Sequence, residues 1–332
     1  MIAVDCSFAV KRNVTGVQRY AAELLREFER LGCDFRRLEP GRVTRLTGLR
    51  QLREQLLLPR MLRRGDTLFS PCNTAPVALP AGVRLVVTVH CLRFLFYPQC
   101  YPAGFLRYYR FVIPRILRRA DCVLTVSEYM REQIEFLFPE ARGRVVAVPL
   151  GVSEEFHPLA GGEVVDGPPC WLFVGNGSYA KNLFTLCQVI ASEPALREIP
   201  LKVLGGSVPR YAAGLPVAAV PNQADVRRVA AIYRNAFAVV VPSFYESFSL
   251  PVLEGFASGV PVLLSDIPAH RELAGEKYEG FFNPFSPASL SAAMSRLRSD
   301  EGFRAHLAEA GPRLASRFRW SECARRTWEL LQ

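Results

Sequence analysis

Glu246 and Glu254 stand eight positions apart where the chain passes from an apolar run into a short helix, so two carboxylates can accept hydrogen bonds from the hydroxyls of one ligand. Val239-Val240-Val241 has the β-branched character of a strand covered on both faces, and Pro242-Ser243 ends it. Pro251 suits a first helical position, and Gly259 and Pro261 close that helix, which puts Glu246 in the loop and Glu254 in the first helical turn. Ser247, Phe248, Ser249 and Leu250 line the entry. A loop from the carboxyl end of a parallel strand to a helix N-terminus offers free N–H groups and a positive dipole end, where phosphates bind. Taken alone, the two acids read more simply as a solvated loop acid and a helix-dipole acid.

A second anion-binding pattern is Gly175-Asn176-Gly177-Ser178-Tyr179-Ala180-Lys181-Asn182, after the strand at 171–174. Gly-x-Gly-x-x-Ala fits a dinucleotide fingerprint, but that fingerprint needs an acid at the tip of the second strand to bind ribose. The second strand, 201–204, ends in Gly205-Gly206 with no carboxylate. The glycines then serve close approach of a diphosphate, with Lys181 supplying positive charge. Near the start, a strand at 1–6, a loop to Thr15 and a helix from Gly16 repeat the geometry, although Gly16 alone is simply a helix-start residue. His90 ends a buried strand at 84–89, the end where open α/β sheets keep ligands.

The run Pro242-Ser243-x-x-Glu246-Ser247-Phe248-Ser249-Leu250-Pro251-x-x-Glu254-x-x-Ala257-x-Gly259-x-Pro261-Val262 resembles the Glu-x7-Glu signature of retaining GT-B glycosyltransferases of family 4, also called group 1. Residues 14–31, 84–128, 171–182 and 236–274 extend the resemblance. It implies an α/β chain of two Rossmann-like, doubly wound domains facing across a cleft. An acceptor-binding domain would span 1–152, a linker 153–169 and a nucleotide-sugar domain 170–316, with a C-terminal helix, 317–332, returning to the first domain. The reaction implied is mannosyltransferase-like: a hexose moves with retention from a nucleotide diphosphate sugar, GDP-mannose being the donor suggested. The acceptor would be a hydroxyl of a saccharide or lipid-linked saccharide in surface polysaccharide synthesis.

In that reading Glu246 and His90 hold the transferred sugar, Lys181 and the Gly16 loop face the diphosphate, Glu254 holds the ribose, and backbone after Val220 holds the base. The chain departs from the family at two positions, with Asn176 for an Arg and Cys91 for an Asp. None of its aspartates forms an Asp-x-Asp pair, so no metal is expected, and no cofactor beyond the donor itself. A nucleotide-sugar-binding protein without turnover and an NAD-dependent sugar-modifying enzyme are the alternatives.

The elements that must position these residues follow from periodicity. The first helix shows an apolar face at Val17, Tyr20, Ala21, Leu24, Leu25, Phe28 and Leu31, and Gly32 ends it. A basic aromatic helix covers 105–119, with Pro114 expected to kink or divide it. Ser127, Asp225 and Ser321 stand where helices begin, and His270 and His306 read as surface residues. Residues 34–80 show little pattern beyond a basic stretch near 47–63 and a short strand at 67–69.

With 332 residues there is room for two cores, and a net charge of +10 calls for a polyanionic partner to be weighed. Nine arginines against two glutamates between Arg36 and Arg64 give a local +7. No aromatic interleaving or zinc spacing supports nucleic acid, which leaves an anionic membrane surface as the candidate, beside the bland reading of a solvated face. Nine cysteines without a C-x-x-C pair suit a reducing compartment. Met1 runs directly into Ile2-Ala3-Val4 and no window is apolar enough to span a bilayer, so the expectation is a cytoplasmic protein, peripheral at the inner membrane face if lipid-bound.

Overall fold

The computed structural model describes residues 1–7, 15–39, 47–159, 167–221 and 225–332. The chain forms two units, Met1–Gly151 with Trp320–Gln332, and Val152–Arg319. The segment 153–169, expected as a linker, is grouped with the second unit as far as it is described.

In the first unit β1 (Ile2–Asp5), β2 (Phe35–Leu38), β3 (Thr67–Ser70), β4 (Arg84–Thr88), β5 (Cys122–Thr125) and β6 (Val145–Ala147) form one parallel sheet in the order β2-β1-β3-β4-β5-β6. Its helices are α1 (Gly16–Arg30), α2 (Thr47–Leu56), α3 (Arg93–Phe96), α4 (Ala103–Arg119) and α5 (Glu128–Leu137). Thr15 caps α1: its hydroxyl accepts from Gln18 N–H, and Thr15 N–H donates back to the Gln18 carboxamide. Tyr20, Ala21, Leu24, Leu25 and Phe28 are buried at the expected spacing, but Leu31 is exposed because the helix has ended before it. Gly32, at φ +68°, takes the left-handed conformation that stops the helix.

Three details differ from the sequence reading. β2 falls in the stretch that shows no pattern, because Arg36 and Arg37 interrupt its apolar alternation. Arg36 instead pairs with Asp66 at 2.6 Å, and Arg37 pairs with Glu29. Helix α4 runs through Pro114 undivided, with Val112, Ile113, Ile116 and Leu117 buried on either side of it. The local +7 is also partly neutralised within the unit, since buried Arg53 lies 3.8 Å from Asp5 and donates to the Glu39 carbonyl at 2.6 Å. Arg42 and Arg45 lie outside the described residues.

The second unit contains β7 (Cys170–Val174), β8 (Leu201–Leu204), β9 (Val217–Val220), β10 (Ala236–Val241), β11 (Val262–Ser265) and β12 (Phe281–Phe282), all parallel, in the order β12-β11-β10-β7-β8-β9. Its helices are α6 (Leu183–Ser192), α7 (Pro194–Arg197), α8 (Val226–Arg234), α9 (Leu250–Ala257), α10 (Pro268–Ala274), α11 (Pro287–Ser299) and α12 (Glu301–Ala315). The strand order reverses between β7 and β10. At such a switch point two neighbouring loops leave in opposite directions and open a crevice at the carboxyl ends.

The final helix, α13 (Trp320–Leu331), belongs to the first unit, where Trp328 packs edge-on against Phe28 of α1 at 5.2 Å and Arg84 of β4 donates to the Leu330 and Leu331 carbonyls at 3.0 Å. Ser321 lies inside this helix rather than capping it, because the helix begins at Trp320.

Helix α9 carries Glu254 and is held from behind by α12. A Cβ built on Gly311 would meet the Phe256 carbonyl oxygen at 2.8 Å and its Cα at 2.9 Å, so the backbones touch there. Gly311→Val should therefore destabilise the second unit by about 1–3 kcal/mol in urea unfolding, the usual scale of overpacking. Gly302→Ala, in the open first turn of α12, should not.

Candidate active site

The loops after β7 and β10 place Lys181 and Glu246 side by side at the switch point. Lys181 Nζ lies 2.6 Å from Glu246 Oε1, and the Ser243 hydroxyl donates to the same oxygen at 2.7 Å. Glu246 is 7 % exposed. Burial by itself would push its carboxyl up, but the Lys181 ammonium and these two hydrogen bonds outweigh burial and hold it below the usual carboxylate range. The pair is thus ionised at neutral pH. Oε2 has no protein partner among the described residues, so this oxygen can accept from a ligand hydroxyl.

His270 belongs to this cluster. The sequence reading puts it on the surface, yet it is fully buried on α10, while His306 is exposed as expected. The misreading has a physical origin: a helix of seven residues is too short to show periodicity, and a lone His carries no sign of burial. His270 Nδ1–H donates to the Ser265 carbonyl at 2.8 Å, with the Ser265 hydroxyl 3.2 Å away, and that hydroxyl donates to the Ser243 carbonyl at 2.6 Å. Burial drives His270 down to about 4 against the attraction of Glu246, so the imidazole is neutral and Nε2 is left unprotonated. The residues Ser243, Ser265 and His270 therefore form a neutral bracket behind an ionised pair.

Helix α9 begins at Leu250, so Glu254 lies in its second turn and not in the first as read. It is buried, and the Tyr233 hydroxyl of α8 donates to its Oε2 at 2.6 Å. Ser249 is the N-cap residue but its hydroxyl makes no capping bond, and this buried Oγ has no partner among the described residues. The N–H groups of Leu250 and Val252, which have no partner among the described residues, follow it, and the amide of Leu253 closes the first helical bond to the Ser249 carbonyl. Ser247 is half-buried, and Phe248 is buried edge-on against Phe318 at 5.9 Å. Asn176 is exposed on the glycine loop. Val220 ends β9 with its carbonyl accepting from Gly205 N–H at 3.0 Å, and Asn222 lies outside the described residues.

In the first unit, Gly16 opens α1 and His90 follows β4. Tyr20, one turn into α1, meets the His90 ring edge-on at 4.6 Å and hydrogen-bonds Thr88 at 3.0 Å. His90 Nε2–H donates to the Pro71 carbonyl at 2.7 Å, which leaves Nδ1 as the acceptor nitrogen. Burial lowers His90 to about 4, so it too is neutral. The backbone at His90 is fixed by Asn73, whose Oδ1 accepts from His90 N–H at 2.7 Å and whose own φ is +50°. Cys91 Sγ lies 3.2 Å from Arg93 N.

Two such parallel, doubly wound units in one chain constitute the GT-B architecture. Residues 161–314 match the family model of group 1 glycosyl transferases, and residues 15–151 match that of the glycosyl transferase 4-like domain. The chain belongs to the group 1 glycosyltransferases. It is 26 % identical over 275 residues to the O-antigen chain mannosyltransferase B of Escherichia coli, covering 74 % of this chain and 69 % of that protein. The match spans 53–58 % of the length of six further curated relatives. Among solved structures, a sucrose-phosphate synthase from Thermosynechococcus elongatus matches with TM-score 0.76 at 20 % identity, over 99 % of this chain and 97 % of that one. A pneumococcal O-GlcNAc transferase, GtfA, in complex with UDP and GlcNAc matches with TM-score 0.60 at 15 % identity, over 82 % and 57 %.

His90 and His270 both have folded values near 4 against 6.5 in the free side chain, so the unfolded chain binds their protons first as pH falls. Stability should accordingly be full above pH 6.5 and decline toward pH 4, with Glu246 adding a further loss below 4.5, its unperturbed value. Thermal melts of His270→Asn, whose amide can still donate to the Ser265 carbonyl, should show a flatter acid limb than the parent. A parent protein as stable at pH 4.5 as at pH 7 would overturn the assignment of neutral, buried imidazoles.

Proposed function

We propose that the chain transfers a hexose from a nucleotide diphosphate sugar to a hydroxyl with retention of anomeric configuration. The observation that carries this reading is the ionised Lys181–Glu246 pair at 2.6 Å, set at the switch point beside the α9 N-terminus. Lys181 gives one of its three N–H donors to Glu246, and the others can serve the leaving diphosphate. The unpartnered Ser249 hydroxyl and the α9 amides supply further donors for the same charge, preorganised before it develops. Glu254 holds the ribose hydroxyls, and backbone beyond Val220 holds the base.

In the transfer step the bond from the anomeric carbon to the phosphate oxygen breaks, and a bond to the acceptor oxygen forms on the same face. The acceptor proton passes to the departing phosphate oxygen. Glu246 Oε2 fixes the sugar by accepting from its hydroxyls, and in the first unit the Nδ1 lone pair of His90 is an acceptor that a sugar hydroxyl can use. In this reading no metal or cofactor assists, and the cationic part falls to Lys181. GDP-mannose is the preferred donor and a saccharide or lipid-linked saccharide the acceptor. The named mannosyltransferase relative supports that choice.

We place the enzyme in the cytoplasm, peripheral on an anionic membrane. No described helix is long and apolar enough to cross a bilayer, and the exposed side of α4 carries Arg107, Arg110, Phe111, Arg115 and Arg118 without an acid. Arg107→Glu with Arg115→Glu should abolish co-sedimentation with phosphatidylglycerol vesicles; unchanged sedimentation would remove the membrane from this reading.

Glu246→Gln keeps the shape and loses the charge, so it should cut turnover of the sugar nucleotide by about two orders of magnitude or more, while nucleotide affinity changes little. Glu254→Gln should instead weaken nucleotide binding in calorimetry by about tenfold, the loss of a charged hydrogen bond. A fully active Glu246→Gln protein would exclude this mechanism, and a parent that binds nucleotide sugars without releasing nucleotide would mark a binding protein.

A further inference from the structure

Helix α2 turns its polar side chains inward. Among its described side chains Leu52 and Leu56 are exposed, while Arg53 and Glu54 are buried and Gln55 is half-buried. A helix held by apolar burial alone would do the reverse, so the buried polar face has another purpose. Arg53 is accounted for by Asp5 and the Glu39 carbonyl. Glu54 and Gln55 both reach the loop after β3, residues 71–77. The Thr74 hydroxyl donates to Glu54 Oε2 at 2.7 Å, Gln55 Nε2 donates to the Ala75 carbonyl at 2.9 Å, and Val77 N–H donates to Gln55 Oε1 at 2.9 Å. From α4 the Tyr108 hydroxyl donates to Glu54 Oε1 at 2.9 Å. Burial and the adjacent carboxylate push that phenol up, so it keeps its proton.

The same loop holds His90. The Pro71 carbonyl accepts from His90 Nε2–H at 2.7 Å, and Asn73 Oδ1 accepts from His90 N–H at 2.7 Å. Asn73 N–H donates to the Thr88 carbonyl at 2.7 Å, and the Ser70 hydroxyl donates to the Thr74 carbonyl at 2.6 Å. Asn73 stands at φ +50°, a left-handed conformation that a short polar side chain visits but that persists only where its surroundings impose it. Thr74, Ala75 and Val77 come next in the chain, and α2 grips all three. We infer that Glu54 and Gln55 are positioning residues for His90: by holding 74–77 they fix the Pro71 carbonyl and Asn73, and with them the tautomer of the imidazole and the edge that it presents. The inference rests on the glycosyltransferase reading only where a sugar hydroxyl is assigned to that edge.

A neutral imidazole carries its proton on whichever nitrogen the surroundings favour. The Pro71 carbonyl can only accept, so it draws the proton to Nε2 and leaves the Nδ1 lone pair free to accept in turn. If the loop shifts, that constraint is lost: the ring can rotate or exchange tautomers, and the acceptor edge becomes a donor. A carboxylate suits the clamp because it accepts only, and each oxygen takes one hydroxyl, Thr74 at Oε2 and Tyr108 at Oε1. The direction of both bonds is thereby set. Burying a carboxylate is costly, and an apolar side chain of similar volume would serve a purely structural helix as well or better. The acid at position 54 is therefore explained by what it orients.

Ring-nitrogen NMR of the full chain labelled with 15N-histidine reads this directly, since there are 4 histidines and His90→Asn assigns the signal. At pH 7 the parent should show His90 with a protonated Nε2 and a bare Nδ1, titrating only near its lowered value of about 4. Thr74→Val, which keeps the shape and removes the hydroxyl, and Glu54→Ala should mix the two tautomers and move the titration toward 6.5, the value of the free side chain. Thr74→Ser should restore the parental spectrum. In turnover, Thr74→Val and Glu54→Ala should lower kcat by about tenfold and change KM for the sugar nucleotide by less than about twofold, with kcat recovered in Thr74→Ser. If Glu54→Ala does not fold, the two Thr74 variants decide the matter. Parental His90 nitrogens in Thr74→Val, or a Thr74→Ser spectrum no closer to the parent than that of Thr74→Val, would overturn the clamp. The spectrum needs no substrate, so it stands apart from the underlying reading, which fails if the parent releases no nucleotide from any sugar nucleotide.

Discussion

The second unit is organised around one ion pair, Lys181 with Glu246, held where the strand order reverses. Removing two charges from water costs several kcal/mol each, and their attraction offsets this only if the remaining hydrogen-bonding capacity is met. Here Glu246 Oε1 takes both the ammonium and the Ser243 hydroxyl, while Lys181 keeps 18 % of its side chain exposed. The partial exposure lowers the cost for the cation and leaves donors pointing outward. The pair is therefore only half internal, the arrangement expected of groups that must also meet a ligand.

The support behind the pair is neutral for a reason. A cation in place of His270 would compete with Lys181 for Glu246, and an acid would raise the carboxyl that must stay ionised. A buried imidazole with its proton on Nδ1 avoids both, since it donates to Ser265 and adds no charge. His90 in the first unit uses the opposite nitrogen, donating from Nε2 to the Pro71 carbonyl and leaving Nδ1 as acceptor. Each ring is locked by a backbone carbonyl, and that choice of nitrogen sets which edge remains for hydrogen bonding.

The sequence carries the alternation of buried strands and amphipathic helices clearly, because Val, Ile and Leu runs such as Val239–Val241 and the spacing from Tyr20 to Phe28 record burial directly. It carries the loop chemistry of Glu246 and Lys181 as local pattern. Their contact is another matter: 65 positions separate them, and only the crossover between β7 and β10 brings them together. His270 and the Tyr233–Glu254 bond are hidden for the same reason, as both join elements with no shared local signal. Strand β2 escapes because its arginines are satisfied by Asp66 and Glu29, partners that periodicity cannot name.

Asn176 in place of an arginine changes how anionic charge can be met in this chain. An exposed arginine would be screened by salt over about 8 Å at physiological ionic strength, whereas the α9 amides and Lys181 sit in a lower dielectric and are screened less. Lys181 already shares its charge with Glu246, so the pair as a whole is neutral. Under the proposed reading, net attraction for a diphosphate comes from the helix N-terminus and from oriented donors such as Ser249, whose hydroxyl is held buried and unpartnered among the described residues. Such donors act by direction rather than by net charge: they favour an oxyanion at one place and contribute little to drawing anions from a distance. Selectivity for where negative charge develops is thereby separated from general affinity for anions, even though the chain as a whole carries +10.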